Sequence, residues 1–180
     1  MDSLEDARSE LGLVQIYTGN GKGKTTAAFG LAFRAAGRGL NVLILQFLKP
    51  SDGYGEQLAC GRFPNVELHS LGLDHFVGKN PKEEDILAAK DALKKASDMM
   101  ATRKYDIVVL DEAVNAVRLN LITDTELIDM LKARPEHIEV VLTGRGITPK
   151  LQEYADLVTE MVLVKHPFDK GINARAGIEF

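Results

Sequence analysis

The sequence predicts an α/β fold in which helices flank a mostly parallel central sheet. Short runs of β-branched and aliphatic residues alternate with longer helical patterns, an order typical of parallel βαβ units. A segment rich in glycine and lysine, residues 19–26, lies directly between the first predicted strand and a predicted helix. A later apolar run ends in two adjacent carboxylates, Asp111 and Glu112. In an open parallel sheet, both features would lie at the same edge.

The first part of the chain supplies three strands and one long helix. The predicted strands are 13–17, 42–47 and 66–70, and the predicted helix is 25–36. Gly37 and Gly39 follow that helix, as glycines commonly do at a helix C-terminus. Residues 51–64 are rich in glycine and are predicted to be irregular.

The second part continues the alternation. Apolar residues spaced by three and four predict an amphipathic helix over 82–104. Thr123 begins a capping box before a second helix, and Thr148 with Pro149 marks the start of a third. The predicted strands are 107–110, 139–142 and 157–164, and the residues from 166 onwards show no clear periodicity.

Length and composition bound the possibilities. The 180 residues suit one domain, so we expect a short N-terminal arm of residues 1–12 followed by a single domain of residues 13–180. A net charge of −4 does not favour nucleic acid or an anionic membrane as a partner. The single cysteine, Cys60, excludes an intrachain disulfide and favours a reducing, cytoplasmic setting. The acidic start and the lack of a run of about 18 apolar residues predict neither a signal peptide nor a membrane span.

The glycine- and lysine-rich segment resembles the phosphate-binding pattern G-x-x-x-x-G-K-[ST]. Its last three positions are present, but Thr18 stands where the first glycine belongs, so the loop from Gly19 is one residue short. Glycines let the backbone approach an anion, successive N–H groups form an anion nest, and the following helix adds its positive end. The residues predicted to bind the phosphates are Gly19, Asn20, Gly21, Lys22, Gly23, Lys24, Thr25 and Thr26.

The two carboxylates after the fourth predicted strand suggest a metal partner for this loop. Asp111 and Glu112 would lie beside the loop, where an acid and the Thr25 hydroxyl can hold Mg²⁺. The spacing leaves open which carboxylate contacts the metal. A plain glycine-rich turn with surface lysines and an acidic cap for a following helix are the alternatives. Each alternative is weakened because the two features occur together.

Two arginines and four histidines complete the set of candidate residues. Arg34 lies on the helix after the loop and Arg145 follows a strand end, so each is a candidate for contacting the nucleotide. A solvated surface position is the alternative for each arginine. The histidines show neither metal-ligand spacing nor the order of a catalytic triad, so surface or core packing is expected for them: His69, His75, His137 and His166.

The loop from Tyr17 to Ala28 resembles that of the ATP:corrinoid adenosyltransferases, including its shortened spacing. Further stretches resemble the family in the same order. They are Arg34 with residues 39–42, Gln46-Phe47, Val108 to Glu112, Thr143 to Gly146, Lys165 to Phe168, Gly171, and Gly177 to Glu179. The resemblance covers residues 13–180.

The resemblance implies a RecA-like P-loop NTPase fold and a homodimer. It implies transfer of the 5′-deoxyadenosyl group of ATP to the Co(I) of a reduced corrinoid, with triphosphate as the leaving group. ATP would lie with its phosphate chain reversed relative to P-loop hydrolases, so that C5′ faces the corrinoid. The catalytic residues would be Lys24, Thr25 and Glu112, with Mg²⁺ or Mn²⁺ held by Thr25, Asp111 and Glu112. Arg34 and Arg145 would contact ATP, and a flavoprotein is a candidate reductant.

The corrinoid side of the resemblance rests on fewer residues. Members of this family can place Phe and Trp side chains against the corrinoid to displace its lower ligand, but this chain contains no Trp. The corresponding loop contains Leu73 and Phe76, which are the candidates for corrinoid contact. The arm of residues 1–12 is shorter than the arm that can cover the active site in relatives.

Two other classes of function are alternatives. A P-loop ATPase or small-molecule kinase would use a full-length loop, which the missing residue disfavours. A non-catalytic nucleotide-binding module would not need Lys24, Thr25 and both carboxylates together.

Overall fold

A parallel six-stranded sheet forms the centre of the molecule. The computed structural model describes residues 4–51, 53–78 and 80–180. The strands are β1 (Val14–Thr18), β2 (Val42–Gln46), β3 (Val66–Ser70), β4 (Ile107–Asp111), β5 (Glu139–Thr143) and β6 (Leu157–Glu160). They lie in the order β3-β2-β4-β5-β1-β6, and every pairing between them is parallel. The predicted α/β class with a central sheet is therefore confirmed.

Helices connect the strands. They are α1 (Leu4–Ser9), α2 (Lys24–Gly37), α3 (Gly55–Cys60), α4 (Glu83–Ala101), α5 (Ala113–Arg118), α6 (Asp124–Lys132) and α7 (Pro149–Tyr154), followed by a 3₁₀ turn, Pro167–Lys170. The predicted starts of α6 and α7 are confirmed, because Thr123 and Thr148 each accept a hydrogen bond from a backbone N–H of the first turn. None of the helices described has both the length and the apolar composition needed to cross a membrane.

Two predictions about secondary structure are wrong. The segment 51–64 is not wholly irregular, because it contains α3. Six residues are too few to show a helical period, and this helix starts where the Gln57 side chain accepts the N–H of Tyr54. The last strand does not run from 157 to 164 but ends at Glu160. It ends there because the chain turns towards the phosphate loop, where the Met161 carbonyl accepts a hydrogen bond.

The core lies on both faces of the sheet, which explains why the inner strands have few polar residues. All side chains of β2 and β4 are buried, as expected of a parallel sheet covered on both sides. Leu43 and Leu45 pack with residues of α4, α5 and α6, whereas Val42 and Ile44 pack with residues of α2. Each fully buried aliphatic side chain contributes roughly 1.5–3 kcal/mol, so the sheet provides a rigid support for the loops at its edge.

The strand order brings three polar residues, Gln46, Asp111 and Thr143, to one edge of this sheet. β5 lies between β1 and β4. In the register of these strands Tyr17 pairs with Thr143, and Gln46 of β2 pairs with Asp111. The carboxyl ends of β1, β2, β4 and β5 therefore lie at the same edge, which is where ligands bind in open α/β sheets.

The N-terminal arm packs away from that edge. Its helix α1 carries Arg8, whose guanidinium donates to the Asp106 carboxylate at 2.8 and 3.1 Å. Asp106 directly precedes β4 and also accepts the N–H of Asn41 at 2.8 Å. The arm is thus fastened at the amino ends of β2 and β4. The division into residues 1–12 and 13–180 stays a prediction, and residues 1–3 lie outside the described part of the chain.

Candidate active site

The phosphate loop owes its shape to a close approach between two backbones. Gly19 and Gly23 have φ values of 97° and 116°, a region that favours glycine. The N–H of Gly21 donates to the carbonyl of Met161 at 2.7 Å. A Cβ on Gly19 would lie 2.4 Å from the same carbonyl oxygen, and one on Gly21 would lie 2.7 Å from it. The shortened loop is therefore moulded against the segment that follows β6.

Lys24 lies at the start of α2 and is directed into the loop. Its ammonium donates to the carbonyls of Gly19 at 2.8 Å and Gly21 at 2.7 Å, and only 8% of the residue is exposed. Burial lowers the pKa of Lys24 and nearby Arg145 lowers it further, while Glu112 and Asp111 act in the opposite direction. The loop thus holds one buried cation beside the positive end of a helix, an arrangement suited to a polyphosphate.

Asp111 is a buried anchor. Its carboxylate has no exposed surface. One oxygen, Oδ1, accepts from the hydroxyls of Thr25 at 2.9 Å and Thr143 at 2.7 Å. The other, Oδ2, accepts from the Gln46 amide at 3.2 Å and lies 3.0 Å from the Lys49 ammonium. A carboxylate has about four acceptor positions, and these four partners occupy them. Asp111 thereby links the phosphate loop to β2 and β5.

The Glu112 side chain lines a cleft, whereas that of its neighbour Asp111 is fully buried. Its backbone adopts a left-handed conformation with φ of 66°, and its N–H donates to the Thr143 hydroxyl at 2.9 Å. The Asn115 amide donates to its carboxylate. Burial raises the pKa of Glu112 and so does Asp111, against the opposing effects of Lys49, Asn115 and Lys24. The turn separates the two adjacent acids, so Glu112 is the one that lines the cleft.

Lys49 and Gln46 are site residues that were not predicted. Lys49 follows β2 and forms ion pairs with Asp111 at 3.0 Å and with Glu56 of α3 at 3.2 Å. Burial lowers the pKa of Lys49, but these two carboxylates outweigh it and the net pKa is raised. The sequence held a usable signal, because Gln46 and Lys49 end an apolar strand just as Asp111 and Glu112 do.

The cleft between the phosphate loop and α3 encloses about 1060 Å³, enough for a nucleotide. The predicted residues that line it are Asn20, Gly21, Lys22, Gly23, Lys24, Thr25, Thr26, Glu112 and Arg145. The N–H of Arg145 donates to the Asn115 side chain at 2.9 Å. Apolar side chains complete the lining and were not predicted: Phe29, Phe33, Leu163, Phe168, Ile178 and Phe180.

Five predicted residues are not part of the described lining of this cleft. Gly19 and Asp111 contact lining residues, since the Gly19 carbonyl accepts from Lys24 and the Asp111 carboxylate accepts from Thr25. The other three lie apart from it. Arg34 is exposed in the last turn of α2. Leu73 and Phe76 lie between β3 and α4, where Leu73 is half-buried and Phe76 is 95% exposed. The nucleotide contact of Arg34 and the corrinoid contacts of Leu73 and Phe76 stay predictions.

The oxygen donors at the loop fit a magnesium ion. The Thr25 hydroxyl and the Glu112 carboxylate are hard ligands at the cleft, with Asp111 behind them holding Thr25. Among the described residues no group of three or more His, Cys, Asp or Glu side chains could hold a metal by itself. Mg²⁺ needs none, because it is commonly bound by one or two carboxylates together with substrate phosphates and water.

Comparison with known proteins agrees with this geometry. Residues 10–180 match the family described as ATP:corrinoid adenosyltransferase BtuR/CobO/CobP. The corrinoid adenosyltransferase of Pseudomonas aeruginosa is 39% identical, over 99% of this chain and 89% of its own length. The corrinoid adenosyltransferase CobA of Salmonella typhimurium is 38% identical over 98% of this chain and 90% of its own, and that of Escherichia coli is 37% identical over the same shares. The chain therefore belongs to the ATP:corrinoid adenosyltransferases, enzymes that transfer the adenosyl group of ATP to a corrinoid.

Proposed function

We propose that this cleft aligns C5′ of ATP with the Co(I) of a reduced corrinoid. The cobalt electron pair forms the Co–C5′ bond, the C5′–O bond breaks, and the whole triphosphate leaves with the electron pair of the broken C5′–O bond. The observation that carries the proposal is the convergence of Lys24, Thr25 and Glu112 beside a shortened phosphate loop. The substrate supplies the nucleophile, so the protein has to align two reactants and stabilise the leaving group.

The residues divide this work. Lys24 and the loop N–H groups face the triphosphate and stabilise the charge that builds on it, an effect that is strong in a partly buried site. Thr25 and Glu112 would hold Mg²⁺ or Mn²⁺, which would neutralise part of the triphosphate charge. Asp111 fixes the Thr25 hydroxyl at 2.9 Å. Arg145, which lies near Lys24, contacts the nucleotide, and Arg34 is a further nucleotide contact.

The identity of the phosphate product tests this reaction. The protein is incubated with MgATP and chemically reduced cobalamin, and we expect triphosphate together with a cobalt–carbon bond. ADP formed without corrinoid would instead identify a P-loop ATPase or kinase. Binding of MgATP without turnover would identify a non-catalytic module. Lys24→Ala is expected to lose adenosyl transfer while keeping the circular dichroism spectrum of the wild type.

The corrinoid contacts form a separate part of the proposal. Phe76 is an exposed aromatic side chain in the loop after β3, and Leu73 precedes it by three residues. We place both against the corrinoid ring. Phe76→Ala should then raise the KM for the corrinoid and leave the KM for ATP unchanged. An equal rise in the KM for the corrinoid and the KM for ATP would show that Phe76 is not a specific corrinoid contact.

The enzyme is further proposed to act in the cytoplasm as a homodimer that receives electrons from a flavoprotein. The support for a dimer is an exposed apolar strip on the edge strand β6 and just after it, where soluble monomers seldom leave such surface bare. The strip consists of Leu157, Val158, Val162, Leu163 and Val164. Light scattering should give twice the monomer mass, and Val158→Glu with Val164→Glu should reduce it to the monomer mass.

A further inference from the structure

The C-terminal residues form a compact turn, here named the C-terminal strap (residues 175–180). The Glu179 carboxylate accepts three hydrogen bonds from Arg175: from Nη2 at 3.1 Å, from Nε at 3.2 Å and from the backbone N–H at 2.9 Å. The N–H of Gly177 donates to the Phe180 carbonyl at 2.7 Å. Arg175 first and Lys22 second lower the pKa of Glu179 to about 2. The Glu179 carboxylate is therefore charged at neutral pH and is shared between Arg175 of the strap and Lys22 of the phosphate loop.

The strap crosses from one side of the cleft to the other. At the phosphate loop, the Lys22 ammonium donates to Glu179 Oε1 at 2.8 Å and to the carbonyl of Ile178 at 3.0 Å. At the far side, a Cβ on Gly55 of α3 would lie 3.8 Å from the carbonyl of Phe180. Gly177, Ile178, Glu179 and Phe180 all line the cleft. The strap is thus part of the wall behind which a nucleotide would lie.

The two lysines of the phosphate loop point in different directions. Lys24 is buried and donates to loop carbonyls. The side chain of Lys22 is 44% exposed and is directed outwards to the strap. We propose that Lys22 is a positioning residue that fastens the strap across the cleft through Glu179, and that its effect on the nucleotide passes through the strap. This inference rests on the proposed binding of ATP in the cleft.

Partial exposure suits this contact to repeated opening. An ion pair between partly exposed side chains is weak and is screened by salt. The strap can therefore release from Lys22 to admit a nucleotide and then close over it. Closure would slow the departure of ATP without adding a direct contact to its phosphates.

A double-mutant cycle on MgATP binding tests the proposal. Lys22→Met and Glu179→Gln are each expected to raise the Kd for MgATP roughly three- to tenfold, mainly through faster dissociation, as loss of a weak ion pair predicts. The double variant should match either single variant, because both changes release the same strap. Lys150→Met removes a similarly exposed ion pair, with Asp124 at 3.4 Å, and should leave the Kd unchanged.

Other outcomes overturn the proposal. A large rise in Kd for Lys22→Met with no change, or tighter binding, for Glu179→Gln would mean that Lys22 contacts the triphosphate directly. Additive effects in the double variant would have the same meaning. An unchanged Kd in both single variants would show that the strap does not retain the nucleotide.

Release of C-terminal residues by carboxypeptidase provides a readout that needs no nucleotide. We expect faster release from Lys22→Met and Glu179→Gln than from the wild type, and a wild-type rate from Lys150→Met. Equal rates in all four proteins would refute the fastening by Lys22. If the wild type failed to bind MgATP, the proposed function would be refuted. The release rates would still show whether Lys22 fastens the strap.

Discussion

The ammonium of Lys49 lies 3.0 Å from Oδ2 of Asp111, a carboxylate with no exposed surface. The same ammonium lies 3.2 Å from Glu56 at the start of α3. This lysine therefore connects the acid that holds the Thr25 hydroxyl with the helix on the other side of the cleft. Such a contact is expected on physical grounds, because a buried carboxylate without a partner is costly.

Replacing Lys49 with Met should destabilise the protein and impair catalysis. The change leaves Asp111 buried without its cation, and removing one member of a buried pair costs about 3–5 kcal/mol. Urea denaturation should show a loss near the lower end of that range, because Asp111 keeps three neutral hydrogen bonds. Lys94→Met, which removes the exposed pair with Asp98, should leave the urea midpoint unchanged. A midpoint equal to the wild type for Lys49→Met would contradict the role of this pair.

Thr143→Val should lower the affinity of the enzyme for Mg²⁺, because valine keeps the shape of threonine but lacks its hydroxyl. The Thr143 hydroxyl donates to Asp111 and accepts the N–H of Glu112, so it orients both acids. Loss of such an outer partner typically reduces metal affinity or activity about 10–100-fold, and the orphaned N–H costs about 1–3 kcal/mol. Titration of adenosyl transfer with Mg²⁺ measures the effect. Thr125→Val, on the exposed face of α6, is the control, and equal Mg²⁺ curves for both variants would rule out the orienting role.

Gly21→Ala and Gly37→Ala should have different effects, the first on nucleotide binding and the second on stability. A Cβ at Gly21 would lie 2.7 Å from the Met161 carbonyl oxygen, whereas one at Gly37 would meet no described atom within 4 Å outside its chain neighbours and the adjacent turns of its own helix. Gly21→Ala must displace the loop and should abolish detectable MgATP binding. Gly37→Ala lies at the end of α2 and should stabilise by about 0.4–1 kcal/mol through the unfolded state. Thermal unfolding and calorimetric titration measure both, and normal nucleotide binding by Gly21→Ala would refute the close packing.

The thiol of Cys60 should be unreactive in the native protein. Burial, assisted by Glu56, raises the pKa of Cys60 to about 11, and the residue is 2% exposed. Since the thiolate is the reactive form, a disulfide reagent at pH 8 should modify no cysteine until denaturant is added. Rapid modification of the folded enzyme would show that α3 opens away from the sheet.

Much of the site could be predicted because its residues are neighbours in sequence or follow a simple rule of sheets. The loop residues 19–26 form one contiguous motif, and the Asp111–Glu112 pair ends a clearly apolar strand. The rule that strand ends share an edge then brings the two together. The different directions of Asp111 and Glu112 could not be predicted, because they depend on a left-handed turn at a non-glycine residue.

The remaining parts of the site depend on contacts between distant segments. The pairing of Lys49 with Asp111 requires the register of β2 against β4, which one sequence does not reveal. The contact between Gly21 and Met161 depends on β6 ending early, although Val162 and Val164 prolong its apolar pattern. The strap shows no period at all, because a turn clamped by Arg175 and Glu179 is neither helix nor strand.

The packing of the phosphate loop against Met161 also determines at which stage of its synthesis the chain can first bind a nucleotide. Ribosomes release the N-terminal part of a chain first, so residues 19–25 emerge long before the segment that moulds them. Strand β1 must also wait, since both of its neighbours, β5 and β6, come from the later part of the chain. We therefore expect a nascent chain that ends before Met161 to carry the complete nucleotide motif without binding a nucleotide.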